Sequence, residues 1–372
     1  MKPPLLLRVL RSPASAGTYT LAEWDMILRQ AVSANLTATL WATIDQAGVL
    51  GEVPDAPRTH LEWSRRLADR HGKAVDWEVA KIAEALRTID AQFILLKGAA
   101  YVAARLPAAR GRLFSDVDIM VPRDRLDDVE SALMMHGWMT DKQDAYDQRY
   151  YRDWMHELPP MRNVRRNTTI DVHHAILPPT ARVHPDSALL RAAAVDLSSA
   201  GAGVQVLTPT DMVLHSATHL FFDGEFDHGL RDMVDLDRLL RDFGSDRAFW
   251  AALPGRARQL ELARPLFYAL RYVRMLFDTP VPHPVLLELD QLTRPGATLL
   301  ALMDAMFERT LLPPHASCSD GWTGMARFCL YVRGNWLRMP PVMLAKHLFH
   351  KAFITPKTLK SVAAAPEIND GK

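Results

Sequence analysis

The chain has 372 residues, 48% of them hydrophobic and 23% charged, a composition that can bury a core and that excludes global disorder. Its 44 Lys and Arg residues nearly balance its 43 Asp and Glu residues, which excludes a protein that coats polyanions through a large basic excess. Two cysteines, Cys318 and Cys329, are too few for a disulfide framework or a four-cysteine zinc site. Since no apolar run approaches the ~20 residues of a membrane span, the sequence predicts a cytoplasmic protein with reduced thiols, no membrane span and no strong nucleic-acid signature.

Helices are expected first along the chain. Apolar residues three or four apart predict helices over 21–47 and about 75–89. The pattern then changes to short apolar or β-branched runs, which predict strands at 93–96, 115–121 and 167–177. An amphipathic helix is expected between the second and third strands, where a glycine is placed to end it.

Beyond Thr208-Pro209 the chain returns to helical spacing, which continues to about residue 350. We therefore expect an α+β fold, in which a small mixed-sheet core is flanked by N-terminal helices and by a helical C-terminal region. The expected domains are an N-terminal helical segment (1–75), an α/β core (76–200) and a helical C-terminal domain (201–372).

The segment Ser-Asp-Val-Asp-Ile-Met-Val at 115–121 carries the strongest chemical signal. Alternate residues of a strand share a face, so Asp116 and Asp118 should project together while their neighbours point into the core. Asp171, in the third predicted strand, adds another carboxylate. Carboxylates on neighbouring strands can hold two Mg²⁺ ions, an arrangement that suits in-line phosphoryl or nucleotidyl transfer. The alternative is an exposed strand edge, because Asp-x-Asp is a common sequence.

A lysine and a glycine stand where the first predicted strand meets a helix. Glycine lets the backbone approach a ligand closely, and free N–H groups at the start of a helix bind phosphate. Lys97 adds a point charge suited to a polyphosphate. Lys97 and Gly98 therefore favour a phosphate site at this turn when they are taken together with the carboxylates.

In their order along the chain, these motifs resemble those of the nucleotidyltransferase-fold superfamily, the DNA polymerase β-like transferases. More narrowly, the chain resembles a bacterial group known only as an uncharacterised nucleotidyltransferase family. The matching motifs are Leu96-Lys97-Gly98, the segment from Arg112 to Asp118, and Asp171-Val172-His173. The resemblance covers roughly residues 20–242 and implies a nucleotidyltransferase core at the centre of the α+β fold.

The resemblance implies a role for each motif. Asp116 and Asp118 would ligate the metals that hold a triphosphate, with Mg²⁺ or Mn²⁺ as the cofactor. Asp171 would ligate the catalytic metal and help to activate an acceptor hydroxyl. Lys97 and Gly98 would cradle phosphate.

Further candidates surround these motifs. Arg112 either holds a phosphate or pins the carboxylates, unless it is an exposed loop arginine, and Ser115 joins it among the expected phosphate-binding residues. His173 shares a strand face with Asp171, so it either supports a metal ligand or forms an ordinary hydrogen bond, and His156 is expected near the cleft. One departure is Ala99, which stands where classical members have a serine whose hydroxyl contacts phosphate.

The predicted function is transfer of an NMP from an NTP, ATP among the candidates, to a hydroxyl acceptor with release of pyrophosphate. The acceptor is left open among small molecules, proteins and RNA. A catalytically degenerate nucleotide- or partner-binding module on the same fold is the alternative. A zinc hydrolase built on His215 and His219, which are four residues apart on a predicted helix, is a weaker one. Asp235 matches an acid in the family's helical region but is expected on a solvated helix face.

Overall fold

The computed structural model describes residues 3–140 and 154–340. The described α-helices are α1 (Leu5–Arg11), α2 (Leu21–Ser33), α3 (Thr37–Gln46), α4 (Asp55–Arg87), α5 (Lys97–Ala103), α6 (Leu126–Met135), α7 (Ser187–Ala193), α8 (Pro209–Asp223), α9 (Gly229–Phe243), α10 (Arg247–Gln259), α11 (Ala263–Phe277), α12 (His283–Thr293), α13 (Ala297–Thr310) and α14 (Thr323–Arg338). The described strands are β1 (Phe93–Leu95), β2 (Asp116–Met120), β3 (Trp138–Thr140), β4 (Met161–Asn163), β5 (Thr169–His173), β6 (Val195–Asp196) and β7 (Val204–Val206). Short 3-10 turns lie at Pro13–Thr18, Leu50–Glu52, Pro107–Ala109, Arg123–Arg125 and Ala316–Cys318.

The described strands form one mixed sheet in the order β3-β4-β5-β2-β1-β7-β6. Strand β2 lies at its centre, antiparallel to β1 and parallel to β5. Strand β1 also pairs with β7 in parallel, and β4 pairs antiparallel with both β3 and β5. The predicted α+β class with a mixed sheet and flanking helices is therefore confirmed.

Burial of both sheet faces explains why the central strands are so apolar. All three residues of β1 are buried, as are the last four of β2, because parallel neighbours covered on both faces leave no solvent side. Helix α4 packs against α5, α6 and β2. Helix α8 lies among α9, α10, α11 and α14 and also contacts α5, so this C-terminal helix packs directly on the helix that follows β1.

Helix α4 is much longer than the predicted helix over 75–89, because it begins at Asp55 and runs to Arg87. Pro57 lies in the first turn of this helix. Proline is tolerated in the first turn of a helix, where its missing N–H would have no intrahelical partner.

The two expected domain limits fall inside a helix and between two strands of one sheet. The limit at 75/76 falls inside α4, and the limit at 200/201 leaves β7 outside the core although β7 belongs to the sheet. The three-domain division stays a prediction, and its last part, residues 341–372, lies outside the described residues. Within the described ranges, none of the helices combines the length and the apolar character that a membrane crossing needs. Cys318 and Cys329 are both free thiols.

Candidate functional site

The three predicted carboxylates converge at the centre of the sheet. Strands β2 and β5 are parallel neighbours, and their register places Asp118 directly opposite Asp171. Asp116 lies two residues before Asp118, so the alternation of the strand turns both side chains to one face. One oxygen of each of these three carboxylates lies within 4.8 Å of the others. The arrangement offers a divalent cation a compact set of oxygen ligands.

Asp171 is partly buried and lies close to other negative charges. Its Oδ1 atom is shielded from solvent and has no hydrogen-bond partner within residues 3–140 and 154–340. The pKa of Asp171 is raised to about 7. Burial is the largest cause, and the negative charges of Asp118 and Glu157 add to it. A buried carboxylate oxygen without a partner is costly, and a bound cation would satisfy it. This observation fits the residues to an Mg²⁺ or Mn²⁺ site.

Asp118 is held ionised by two neighbours. Lys97 Nζ donates to Asp118 Oδ1 at 3.0 Å, and His173 Nε2 lies 2.9 Å from the same oxygen. Burial alone would raise the pKa of Asp118, but Lys97 and His173 outweigh it and hold that pKa well below its usual range. Lys97 thus neutralises the carboxylate pair in the structure, and its expected phosphate contact stays a prediction.

A cleft opens beside these carboxylates, with a volume of about 470 Å³. Asp116 and Asp118 line it, and Asp171 lies next to it without lining it. The predicted phosphate-binding residues that line it are Lys97, Gly98, Arg112 and Ser115. The facing wall comes from α8, from α9 and from the residue before α9, and includes Ser216, His219, His228, Arg231 and Asp232. The candidate site is therefore shared between the sheet and the C-terminal helices.

A sequence model of the family described as "Uncharacterised nucleotidyltransferase" matches residues 20–278 of the chain. The chain belongs to this family. The match confirms the resemblance that the motifs indicated over about 20–242 and extends it through α11. No curated protein matches the sequence.

In this family member, Arg112 joins the core to the C-terminal helices. It is 7% exposed, and its Nε donates to Asp235 Oδ2 at 2.5 Å. Its guanidinium also lies over the rings of Tyr101 and Phe114, at 5.6 and 5.2 Å from their centroids. Arg112 is therefore not an exposed loop arginine. The expectation that Asp235 lies on a solvated helix face was wrong, because only 4% of it is exposed.

The Arg112 side chain also explains the glycine at position 98. A Cβ atom there would lie 2.2 Å from Arg112 Nη1 and 2.7 Å from the Phe114 ring. Gly98 is thus required by the close approach of the guanidinium. Ala99 is buried and is not among the residues that line the cleft. Ser115 lines it, with its Oγ 3.3 Å from Asp116 Oδ1.

The predicted histidines occupy different surroundings. His173 contacts Asp118 as described, and its ring centroid lies 5.3 Å from that of His156. His215 is buried, and its pKa is lowered to about 3. Burial is the largest cause, and the positive charge of Lys97 adds to it. His219 lines the cleft. Among the described residues no third donor completes a metal group with His215 and His219, so the structure gives the zinc-hydrolase alternative no support.

Sequence reasoning missed much of the α8–α9 wall. Ser216, His228 and Arg231 lie in stretches whose only sequence signal is helical periodicity. Nothing local marks them as cleft residues, because their position depends on how α8 packs against α5 and α9.

Proposed function

We propose that this protein is a divalent-metal-dependent nucleotidyltransferase that moves an NMP from an NTP to a hydroxyl acceptor and releases pyrophosphate. The observation that carries the proposal is the convergence of Asp116, Asp118 and Asp171 within 4.8 Å at the edge of a cleft. Membership of an uncharacterised nucleotidyltransferase family supports nucleotidyl transfer as the general reaction. The acceptor is a small molecule, a protein or an RNA.

The three aspartates would hold Mg²⁺ or Mn²⁺. Bound there, such an ion supplies charge neutralisation for the triphosphate and lowers the pKa of a bound hydroxyl. The protein contributes a fixed arrangement: Lys97 and His173 hold Asp118 in place, so little reorganisation is needed when charge develops. Asp171 Oδ1, which has no partner in the described chain, is available as a ligand or as an acceptor for the hydroxyl proton.

On the nucleotide side we propose Lys97, Gly98, Ser115 and Arg112. Lys97 is buried against Asp118 but also lines the cleft, so its ammonium can reach a phosphate placed beside the carboxylates. Arg112 acts from a fixed position, because Asp235 and two aromatic rings hold its guanidinium. An arginine held in this way loses little side-chain freedom on binding a phosphate.

The test is to incubate the protein with each NTP, labelled at the α- or the γ-phosphate, with Mg²⁺ and a cell extract as the acceptor source. The proposal predicts that the α-label moves to an acceptor, that the γ-label leaves with pyrophosphate, and that Asp116→Asn abolishes transfer. Asp124→Asn, the same change at an exposed position, is the matched control. Transfer of the γ-label would contradict the proposal, since it would indicate a kinase.

A binding module without catalysis is the second candidate. Two observations favour it: Lys97 is already engaged with Asp118, and Ala99 supplies no hydroxyl. Adding a measurement of Mg²⁺-dependent NTP binding to the same experiment separates the two candidates, because a binding module would bind NTP without moving the α-label to any acceptor.

A further inference from the structure

A second group of metal-ligating side chains adjoins the carboxylates, because His173 contacts Asp118. One ligand atom of each of His156, Glu157 and His173 lies within 4.8 Å of the others. We infer that these residues form a site for a divalent transition-metal ion such as Zn²⁺, adjoining the all-carboxylate site and joined to it through His173 and Asp118. The inference does not depend on the proposed function, because metal occupancy here requires no nucleotide and no transfer.

The donor chemistry separates the two groups. Asp116, Asp118 and Asp171 offer only carboxylate oxygens, the ligands that hard ions such as Mg²⁺ prefer. The second group offers two imidazoles and one carboxylate, a donor set that favours zinc and other first-row transition metals. Two neighbouring groups of different softness can hold two different metals in the same protein.

His173 is oriented as a metal-bound histidine usually is. Its Nε2 lies 2.9 Å from Asp118 Oδ1, and its Nδ1 lies 3.2 Å from Glu157 Oε2. A hydrogen on Nε2 donates to the Asp118 carboxylate, and this contact fixes the ring so that Nδ1 faces Glu157. A histidine whose second nitrogen donates to a carboxylate is the common arrangement at metal sites. A metal between Nδ1 and Glu157 would take the place of the proton that they otherwise share.

His156 supplies an independent indication. Its Nδ1 atom is shielded from solvent and has no hydrogen-bond partner in the part of the chain that the structure describes. An imidazole nitrogen in such a position has lost its water without gaining a partner, which is unfavourable. A metal ion held with Glu157 and His173 would provide that partner.

The backbone holds this group in place before any metal binds. Glu157 and His173 face each other across an isolated antiparallel bridge. On either side of it, the His174 N–H donates to the His156 carbonyl at 2.8 Å, and the Leu158 N–H donates to the Val172 carbonyl at 2.9 Å. The ligand segment is therefore anchored along β5. A metal there would also fix His173 and, through it, the Asp118 carboxylate.

The test uses the full-length protein, stripped with a chelator and then dialysed against Zn²⁺ in a large excess of Mg²⁺. Plasma mass spectrometry should find about one equivalent of retained zinc, as expected for a single site with three protein ligands and one open position. His156→Gln and Glu157→Gln should lose most of it, whereas His184→Gln, which changes an exposed histidine, should retain it. Asp116→Asn should also retain it, because Asp116 belongs only to the carboxylate group.

The inference is overturned if the wild-type protein retains no zinc, or if His156→Gln and Glu157→Gln retain as much as His184→Gln. Circular dichroism identifies any variant that fails to fold. Co²⁺ loading of the wild type gives a readout that needs no variant: a mixed nitrogen and oxygen site of low coordination number gives intense visible absorption. A weak octahedral spectrum from an oxygen-only site would overturn the inference as well. Because nucleotide is absent throughout, this failure is distinct from failure of label transfer.

Discussion

Lys97 is the residue for which the structure makes the sharpest prediction. Its ammonium donates to Asp118 at 3.0 Å, and the two side chains are 19% and 7% exposed. Lys97→Met keeps most of the side-chain volume but removes the charge. Asp118 would then remain buried with His173 as its one close cationic partner among the residues described. We therefore expect the metal-free, nucleotide-free protein to become less stable.

The size of the loss follows from the burial of the pair. Removing one partner of a buried ion pair typically costs about 3–5 kcal/mol, because the remaining charge loses its compensation. His173 keeps part of that compensation at 2.9 Å, so we expect the lower end, about 3 kcal/mol. Mg²⁺ can neutralise the same carboxylates, and it should therefore stabilise Lys97→Met more than the wild type by mass action.

Thermal unfolding with and without Mg²⁺ measures both effects. The expected result is a melting temperature several degrees lower for Lys97→Met and a larger Mg²⁺-induced increase in that variant. Lys81→Met is the matched control, since Lys81 forms an exposed pair with Glu84, and such pairs contribute little. If Lys97→Met melts like the wild type in the absence of metal, Lys97 is not the counter-charge of the carboxylates.

Three further predictions test other parts of the site. Arg112→Met and Asp235→Leu should each cost about 3–5 kcal/mol of stability, and the double variant should cost less than their sum, which denaturant titration of the four proteins would measure. Strictly additive losses would mean that the pair is not coupled. Gly98→Ala should lower the melting temperature, because overpacking at this position should reduce the free energy of unfolding by about 1–3 kcal/mol. Gly51→Ala should have little effect, because a Cβ atom there meets nothing within 4 Å. Asp116→Asn should leave the fold intact in circular dichroism but abolish Mg²⁺-dependent NTP binding in calorimetry, and retained binding would remove Asp116 from the metal site.

The carboxylate site could be predicted where local periodicity determines it. Alternation along β2 placed Asp116 and Asp118 on one face, and this needs only the geometry of a strand. The position of Asp171 required more, because β2 and β5 are parallel and more than forty residues of chain separate them. The third predicted strand indicated that Asp171 joins the other carboxylates, but its position opposite Asp118 follows from the parallel pairing of β5 with β2.

The rest of the site arises from tertiary packing that no local pattern encodes. Arg112 and Asp235 are 123 positions apart in sequence, and their pairing depends on how α9 meets the end of the loop before β2. For the same reason Asp235 was assigned to a solvated face, since an acid on an amphipathic helix usually is solvated. Gly98 is predicted to admit phosphate, and this stays a prediction, whereas the structure shows that the missing side chain admits the guanidinium of Arg112.

We propose that Asp116, Asp118 and Asp171 together hold the divalent metal on which nucleotidyl transfer depends. Anomalous diffraction from crystals grown with Mn²⁺ and a non-hydrolysable NTP analogue tests it most directly. We expect an anomalous peak within ligand distance of oxygens from all three aspartates, with the triphosphate in the cleft beside Lys97. A bound nucleotide whose phosphates and Mn²⁺ lie away from these carboxylates would contradict it.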